Sequence, residues 1–378
     1  MQPRLCSRAW KEAKALTEAG AEVSLIELRD PSPIMDYSIF RRHVNLPFAP
    51  DLIAMVRDRS KILRAIKSEV MASGYDVVHT HNGPDCFGAW LPSVLDVPVV
   101  HDIHDIETAA ETDWPKTARF HRLKGKTIDW LKRRWEHKAS TRTAGVLTTS
   151  PAAARFIRDR HGGRNVFALE NKPFKGDHDL RPKLSSHDGE THLVYAGGIT
   201  VAKGSERDLL PVFKRMAADG LHVHLYLMTY NESIRQAVEE QTEDDRRLHL
   251  HAPVPQAGFI EEVSQYDYGL IWFTDMNDNI RVTTQNKLYE FQVAGVPIIT
   301  NLQEGYTAEY IQKKGCGLVV KGAEEVRDAI ATSEGFRLDP SDCFMDGQDI
   351  LDIYDTVLGR TSLDGGHRPP LAVGGTTA

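Results

Sequence analysis

Short apolar runs, each followed by a stretch of helical periodicity, recur along this chain and constrain its fold more than any other feature. Asp76-Val77-Val78-His79-Thr80-His81, Val97-Pro98-Val99-Val100-His101 and Gly145-Val146-Leu147-Thr148-Thr149 are three of them, and Leu193-Val194-Tyr195-Ala196 begins a second series. That series continues at residues 223–228, 248–251, 268–273 and 318–320. Runs of this length without strict polar alternation are strands buried on both faces. Alternating with helices, they build a parallel sheet covered on both sides. Between the two series, residues 173–190 are dominated by Lys, Asp, His, Ser and Pro, the composition of a connecting loop.

The pattern therefore predicts an α/β chain with two domains, residues 1–172 and 191–345, joined by a linker at 173–190. The 378 residues are enough for two separate cores. A closing amphipathic helix is expected within 346–360 (Ile350, Leu351, Tyr354 and Leu358), and the Gly/Pro/Thr-rich residues 361–378 are expected to be disordered. The start is unusual. Residues 8–19 read as a helix, and the strand Val23-Ser24-Leu25-Ile26 comes only after it. Nothing ahead of that helix reads as a first strand with its phosphate-facing turn, so a truncated or mis-assigned start, or a strand supplied from elsewhere, is the expectation. Residues 30–58 are Pro-rich and read as irregular, with a helix following over 61–72.

Composition narrows the class of function. A net charge of -7 gives no general attraction to nucleic acid or anionic lipid. The four cysteines (Cys6, Cys86, Cys316, Cys343) are scattered and form no CxxC pair, which speaks against a zinc ribbon or disulfide framework. No apolar run approaches the roughly 20 residues that span a bilayer, and no signal-peptide core is visible. A cytoplasmic protein is expected.

The residues with chemical potential lie at strand ends, where ligands bind in open parallel sheets. Residues 286–301 read as a helix with Leu288, Phe291 and Ala294 on one face, a stop at Gly295-Val296-Pro297, and a strand over 296–299. Asn286 or Thr284 is the candidate N-cap. Lys287 falls in the first turn, where the helix dipole disfavours a cation. A bound anion there would explain it, and a lysine pointing into water would explain it equally well. Gly197-Gly198, after a strand and before a helix, forms a weak phosphate-cradle signal, to which Lys203 adds a charge. Two cations and two helix mouths around one cleft would suit a diphosphate. Glu290, one turn into its helix, could bond ribose hydroxyls or simply be an exposed glutamate.

His79, His81, His101 and His104 raise a metal hypothesis, but His101 and His104 do not share a strand face, and no metal site is expected. Residues 116–138 are strongly basic, with Lys116, Arg119, Arg122, Lys124, Lys126, Lys132, Arg133, Arg134 and Lys138. They read as a solvated helix face, or else as a contact for an anionic membrane or acceptor.

Several of these segments, in order, resemble glycosyltransferase family 4 and its relatives. Arg8-Ala9-Trp10-Lys11-Glu12-Ala13, with Leu16 and Glu18-Ala19-Gly20, is similar to the helix after that family's first strand. Asp76 to Asn82 and Val97 to Asp105 are similar to its next two signatures, and Glu136 to Ser150 to the stretch closing the acceptor domain. Leu193 to Gly198 with Lys203-Gly204, and Asn286 to Asn301, resemble the donor-binding domain.

The resemblance implies the GT-B fold, two Rossmann-like domains facing each other across a cleft. It also implies a retaining, hexosyltransferase-type enzyme that uses a nucleotide-sugar donor and a glycan or lipid-linked acceptor. Its setting would be polysaccharide or cell-envelope biosynthesis, in the cytoplasm or peripherally at the inner membrane face. His104, Lys203 and Glu290 would be catalytic, with Gly197, Gly198, Asn286, Lys287 and Leu288 joining Lys203 and Glu290 in donor binding. No metal or other cofactor, and no nucleic acid, would be needed. Three departures stand out. Val282 occupies the position eight before Glu290, where the family's first glutamate would sit. Ile199-Thr200-Val201-Ala202 lacks the arginine often found after the glycine loop. The first strand is missing. These leave a non-catalytic or truncated glycosyltransferase-like subunit, or a nucleotide-sugar epimerase, as alternatives.

Overall fold

The computed structural model describes residues 5–28, 35–49, 51–83, 85–109, 119–200, 207–227, 232–360 and 372–377, with the backbone alone for 119–124 and 372–377. The chain divides into two compact units, one made of Met1–Phe174 with Met345–Ala378, the other of Lys175–Phe344. Both are layered α/β structures with wholly parallel strand pairing.

The first unit contains β1 (Glu22–Glu27), β2 (Arg42–Asn45), β3 (Val77–His81), β4 (Val99–Ile103), β5 (Gly145–Thr148) and β6 (Val166–Ala168). The second contains β7 (His192–Gly197), β8 (His222–Leu227), β9 (Leu248–His251), β10 (Tyr268–Ile271), β11 (Ile298–Thr300) and β12 (Gly317–Val319), in the order β12-β11-β10-β7-β8-β9.

The remaining strand of the first sheet comes from the far end of the chain. β13 (Ala372–Thr377) lies between β1 and β3, giving the order β2-β1-β13-β3-β4-β5-β6. Its register runs from Glu22↔Ala372 to Glu27↔Thr377 on one side and from Val373↔Val77 to Thr377↔His81 on the other. This corrects the expectation of a disordered tail for residues 372–377, with 361–371 and 378 lying outside the described residues, and the expected strand supplied from elsewhere comes from within this chain. The physical reason is that a gap between β1 and β3 would leave two rows of backbone donors and acceptors without partners inside the sheet.

Strand phase sorts the side chains of the first unit onto two faces. Val78 packs with Ile62, Ile66, Phe87 and Trp90 on one face. Val77 and Val100 pack with Leu16, Ile350 and Tyr354 on the other. That second face is covered by helices Ser7–Glu18 and Gly347–Leu358, so the last helix belongs to the first unit. A Cβ on Gly347 would come within 2.1 Å of the Ala15 carbonyl oxygen, so only glycine lets the two helices meet this closely. Helix Leu52–Ser73 is longer than its expected 61–72. It starts on an Asp51 cap bonded to the Ala54 amide and ends at left-handed Gly74. β2 also lies in the stretch expected to be irregular.

Residues 175–190, expected as part of a linker, are held on the second unit. Lys183 Nζ donates to the carbonyls of Tyr266 (2.6 Å) and Gly295 (3.2 Å). In that unit Leu193 and Tyr195 face Phe213 and Met216, while Val194 and Ala196 face Leu288 and Phe291.

Candidate functional site

In the second unit the chemistry-bearing residues gather at the carboxyl edge of the sheet. β7 ends at Gly197, and neither Gly197 nor Gly198 has a positive φ, so a turn conformation does not explain them. Close approach does for Gly197, where a Cβ would lie 2.7 Å from the Tyr195 hydroxyl. That hydroxyl donates to the Gly198 carbonyl at 2.8 Å. The loop that follows is closed at its base by Thr200 N–H donating to the Arg207 carbonyl at 3.0 Å. Lys203 lies in 201–206, outside the described residues. The closure brings Arg207 back, so that a Cβ on Gly198 would sit 3.5 Å from Arg207 Nη1. The guanidinium stands 5.6 Å from the Phe273 ring, just after β10. This arginine does not stand out in the sequence, because it lies well beyond the residues directly after the glycines and only the loop closure brings it back.

The helix expected from residue 286 runs Lys287–Val293, and the strand after it is β11, two residues later than expected at its start. Gly295 is left-handed, as its position demanded. Asn286 has helical dihedrals and its side chain makes no capping bond, contrary to expectation. Lys287 neither points into water nor stands alone in the dipole field. Its Nζ lies 2.8 Å from Glu290 Oε2 and 3.6 Å from the centre of the Phe259 ring. The other Glu290 oxygen accepts from Gln256 Nε2 at 2.7 Å. Glu290 is only 1% exposed, so it is not an ordinary surface glutamate. A carboxylate in the first turn suits the helix dipole, and the lysine three residues earlier neutralises it. Leu288 is fully buried in the core beside Val194 and Tyr226; as a donor contact it has only its backbone to offer.

The first unit has its own polar centre at the ends of β3 and β4. His104 Nδ1 lies 2.7 Å from Asp102 Oδ1, and the His104 amide donates to Asn82 Oδ1 at 3.3 Å. Arg8, from helix Ser7–Glu18, donates to Asp102 Oδ2 through Nε (2.9 Å) and Nη2 (2.6 Å). Burial works against a charged Asp102, but the Arg8 guanidinium and the His104 bond outweigh it and hold the carboxyl well below the usual range. Burial likewise opposes a charged His104, and the bond to Asp102 and its charge raise the imidazole above its ordinary value.

His101 faces the other way. It bonds Asp85 (2.9 Å) and Thr80 (2.6 Å) and packs over Gly88, where a Cβ would strike its ring at 2.5 Å. His79 and His81 instead share the Asp102 face with Glu12, whose carboxyl is pushed up to about 8 by burial. Neither Arg8 nor Glu12 stood out in the sequence as part of this centre, because only folding brings helix Ser7–Glu18 over β3 and β4. Glu136, deeply buried, accepts from the Thr108 amide at 2.9 Å and pairs with His161 at 2.7 Å, which anchors the segment following His104.

Residues 8–168 match the family model for Glycosyltransferase Family 4, and residues 216–335 match that for the Glucosyltransferase 3-like C-terminal domain. The first part of the chain is thus similar to glycosyltransferase family 4, and the second part to the glucosyltransferase 3-like C-terminal domain. Its fold is that of solved glycosyltransferases. A sucrose-phosphate synthase from Thermosynechococcus elongatus aligns with a TM-score of 0.61 at 14% identity, over 92% of this chain and 87% of that one. A glycosyltransferase from Rickettsia africae gives 0.61 at 10% identity, over 94% and 97%. Anabaena HepE, solved with UDP-glucose, gives 0.59 at 12% identity, over 90% and 100%. No curated protein sequence matches the chain. Two Rossmann-like domains with parallel sheets are thus present, as expected for the GT-B class. Among the described residues, no helix is long and apolar enough to cross a membrane.

Proposed function

We propose that the protein transfers a sugar from a nucleoside diphosphate sugar to a glycan or lipid-linked acceptor with retained anomeric configuration. The observation that carries this reading is the buried Glu290, held by Gln256 and Lys287 at the carboxyl edge of the second sheet. It matches the glutamate that binds donor ribose in the family the chain resembles. In this reading the ribose hydroxyls donate to Glu290, whose carboxylate is paired with Lys287. Arg207, beside Gly198, is assigned to the diphosphate together with Lys203, whose part rests on its match to the family, and the two cations stabilise the negative charge that develops as it leaves. The imidazole of His104, kept oriented by Asp102, positions the transferred sugar. The cations in this scheme are the protein's own side chains, so the transfer itself is assigned no metal.

Val282, the last residue of helix Asp278–Val282, offers the sugar no carboxylate, and this favours the second reading of a donor-binding subunit without turnover. A donor-hydrolysis screen over nucleotide sugars separates them. Turnover in the wild type that is lost in Lys203→Ala and in Glu290→Ala supports transfer, and turnover unchanged in both refutes the site. Tight calorimetric binding of a donor with no turnover for any sugar favours the subunit.

The basic helix, described over Arg119–Arg142, supports peripheral contact with an anionic membrane. Trp130 is 57% exposed with Arg134 stacked on it at 5.3 Å, whereas Trp135 is buried against Trp90. Co-sedimentation with anionic liposomes is expected to fall steeply as salt rises. Absence of binding at low salt would end this part of the reading.

A further inference from the structure

The polar group under helix Ser7–Glu18 contains more ligand capacity than the Arg8–Asp102–His104 arrangement uses. Glu12, His79, His81 and Asp102, all buried, each present one ligand atom, and these four atoms lie within 4.8 Å of one another. Ligands of a tetrahedral zinc with bonds near 2.0–2.1 Å sit about 3.3 Å apart, so a contraction of at most about 1.5 Å would close the set. His81 Nε2 lies 3.6 Å from Glu12 Oε2, and His81 Nδ1 lies 3.9 Å from Asp102 Oδ1.

Three further observations point the same way. His79 Nε2, His81 Nδ1 and both Glu12 oxygens are buried without a hydrogen bond. Arg8 Nε is 3.0 Å from Glu12 Oε1, but its N–H is directed at Asp102. His79 Nδ1 lies 2.8 Å from the Tyr354 hydroxyl, an outer hydrogen bond of the kind that orients a metal-binding imidazole and leaves its other nitrogen for the cation. Finally, Glu12, His79, His81 and Tyr354 border a cavity of about 30 Å³, room for one ion or one water. Arg8 balances one of the two carboxylates and leaves the second to be neutralised by something else.

We propose that Glu12, His79, His81 and Asp102 bind a divalent transition-metal cation of the zinc class, which ties helix Ser7–Glu18 to β3 and β4. Two imidazoles with two carboxylates suit a borderline cation better than calcium or magnesium, which prefer all-oxygen shells. Loading requires that the carboxylates be ionised and the imidazoles neutral, and any proton held by Glu12 is released to solvent.

The test is metal content of the full-length protein after incubation with Zn²⁺ and dialysis, with Co²⁺ as a spectroscopic probe. An equimolar amount of zinc is expected in the wild type, with a tetrahedral Co²⁺ spectrum. Both should be lost in His81→Asn and Glu12→Gln, and kept in His249→Ala, which alters a separate histidine group in the second unit. X-ray absorption at the zinc edge of the wild type needs no variant and should show two imidazoles and two oxygens. No retained metal, a shell with more than two imidazoles, an all-oxygen shell, or undiminished binding by folded His81→Asn would each overturn the assignment. A cavity filled by water, or a protonated Glu12, gives the first of those results.

Discussion

Both oxygens of Glu290 are taken, by Gln256 and by Lys287. Under the proposed function, ribose hydroxyls would have to share or replace those bonds. Buried hydrogen-bonded charges are costly to leave unpaired, so the exchange favours a ligand with matching donors over one without them. The lysine that looked misplaced by the helix dipole is explained by its neighbour three residues on. Arg207 is the residue-scale surprise. If it contacts the donor diphosphate, Arg207→Ala should lower kcat/KM for the donor by roughly 10–100-fold, the loss typical of one charge-assisted contact. Steady-state donor hydrolysis checks this, and unchanged kinetics would confine Arg207 to packing on Phe273. Glu290 and Lys287 could be read from local spacing because they sit on one helix. Arg207 and Arg8 could not, since their partners lie across a loop closure or on another element.

At the scale of elements, β10 and helix Lys287–Val293 meet so closely that a Cβ on Gly269 would lie 2.4 Å from the Phe291 ring, which helps fix the helix carrying Glu290. On the same face, β7, β8 and β9 align five histidines. His192 Nδ1 meets His224 Nε2 at 2.9 Å, His224 Nδ1 meets His251 Nε2 at 2.8 Å, and His222 Nδ1 meets His249 Nε2 at 2.9 Å. Asp188, Glu190, Arg247, Glu262, Tyr226 and Tyr266 surround them. Burial and the neighbouring histidines push His224 down to about 2, and His222, His249 and His251 are lowered, chiefly by burial. The unfolded chain therefore binds protons that these folded sites refuse, and stability is lost as pH falls below about 6.5. At pH 5 His224 alone accounts for about 2 kcal/mol of that loss. Thermal unfolding at pH 7.5 and pH 5 should show a drop in midpoint that is smaller in His224→Leu. An equal drop in the variant would argue that the acid sensitivity lies elsewhere.

For the whole molecule, the decisive fact is that β13 completes a sheet begun some 350 residues earlier in the chain. Each backbone hydrogen bond it makes is worth about 1 kcal/mol net, and its removal would expose two inner strand edges. A chain ending at residue 371 should lose the cooperative unfolding of the first unit while the second unit keeps its own transition, as calorimetry would show. Adding a peptide of residues 366–378 should restore the lost transition, because strand addition needs mainly backbone pairing. A truncated chain that unfolds like the full one would show β13 to be dispensable. His79 and His81, under helix Ser7–Glu18, lie on β3, which flanks this strand, so the same experiment reports on their setting.

Periodicity and composition determined the alternation of strands and helices, the presence of two α/β domains, the strand-end position of His104 and the first-turn helical position of Glu290, because those depend on neighbours within a few residues. Tertiary structure alone decided that residues 372–377 pair between β1 and β3, that the last helix belongs with the first domain, and that Arg8, Glu12, His79, His81 and Asp102 share one buried centre. Those outcomes rest on satisfying backbone groups and buried charges between segments far apart in sequence, and no local pattern encodes where a distant partner will be found.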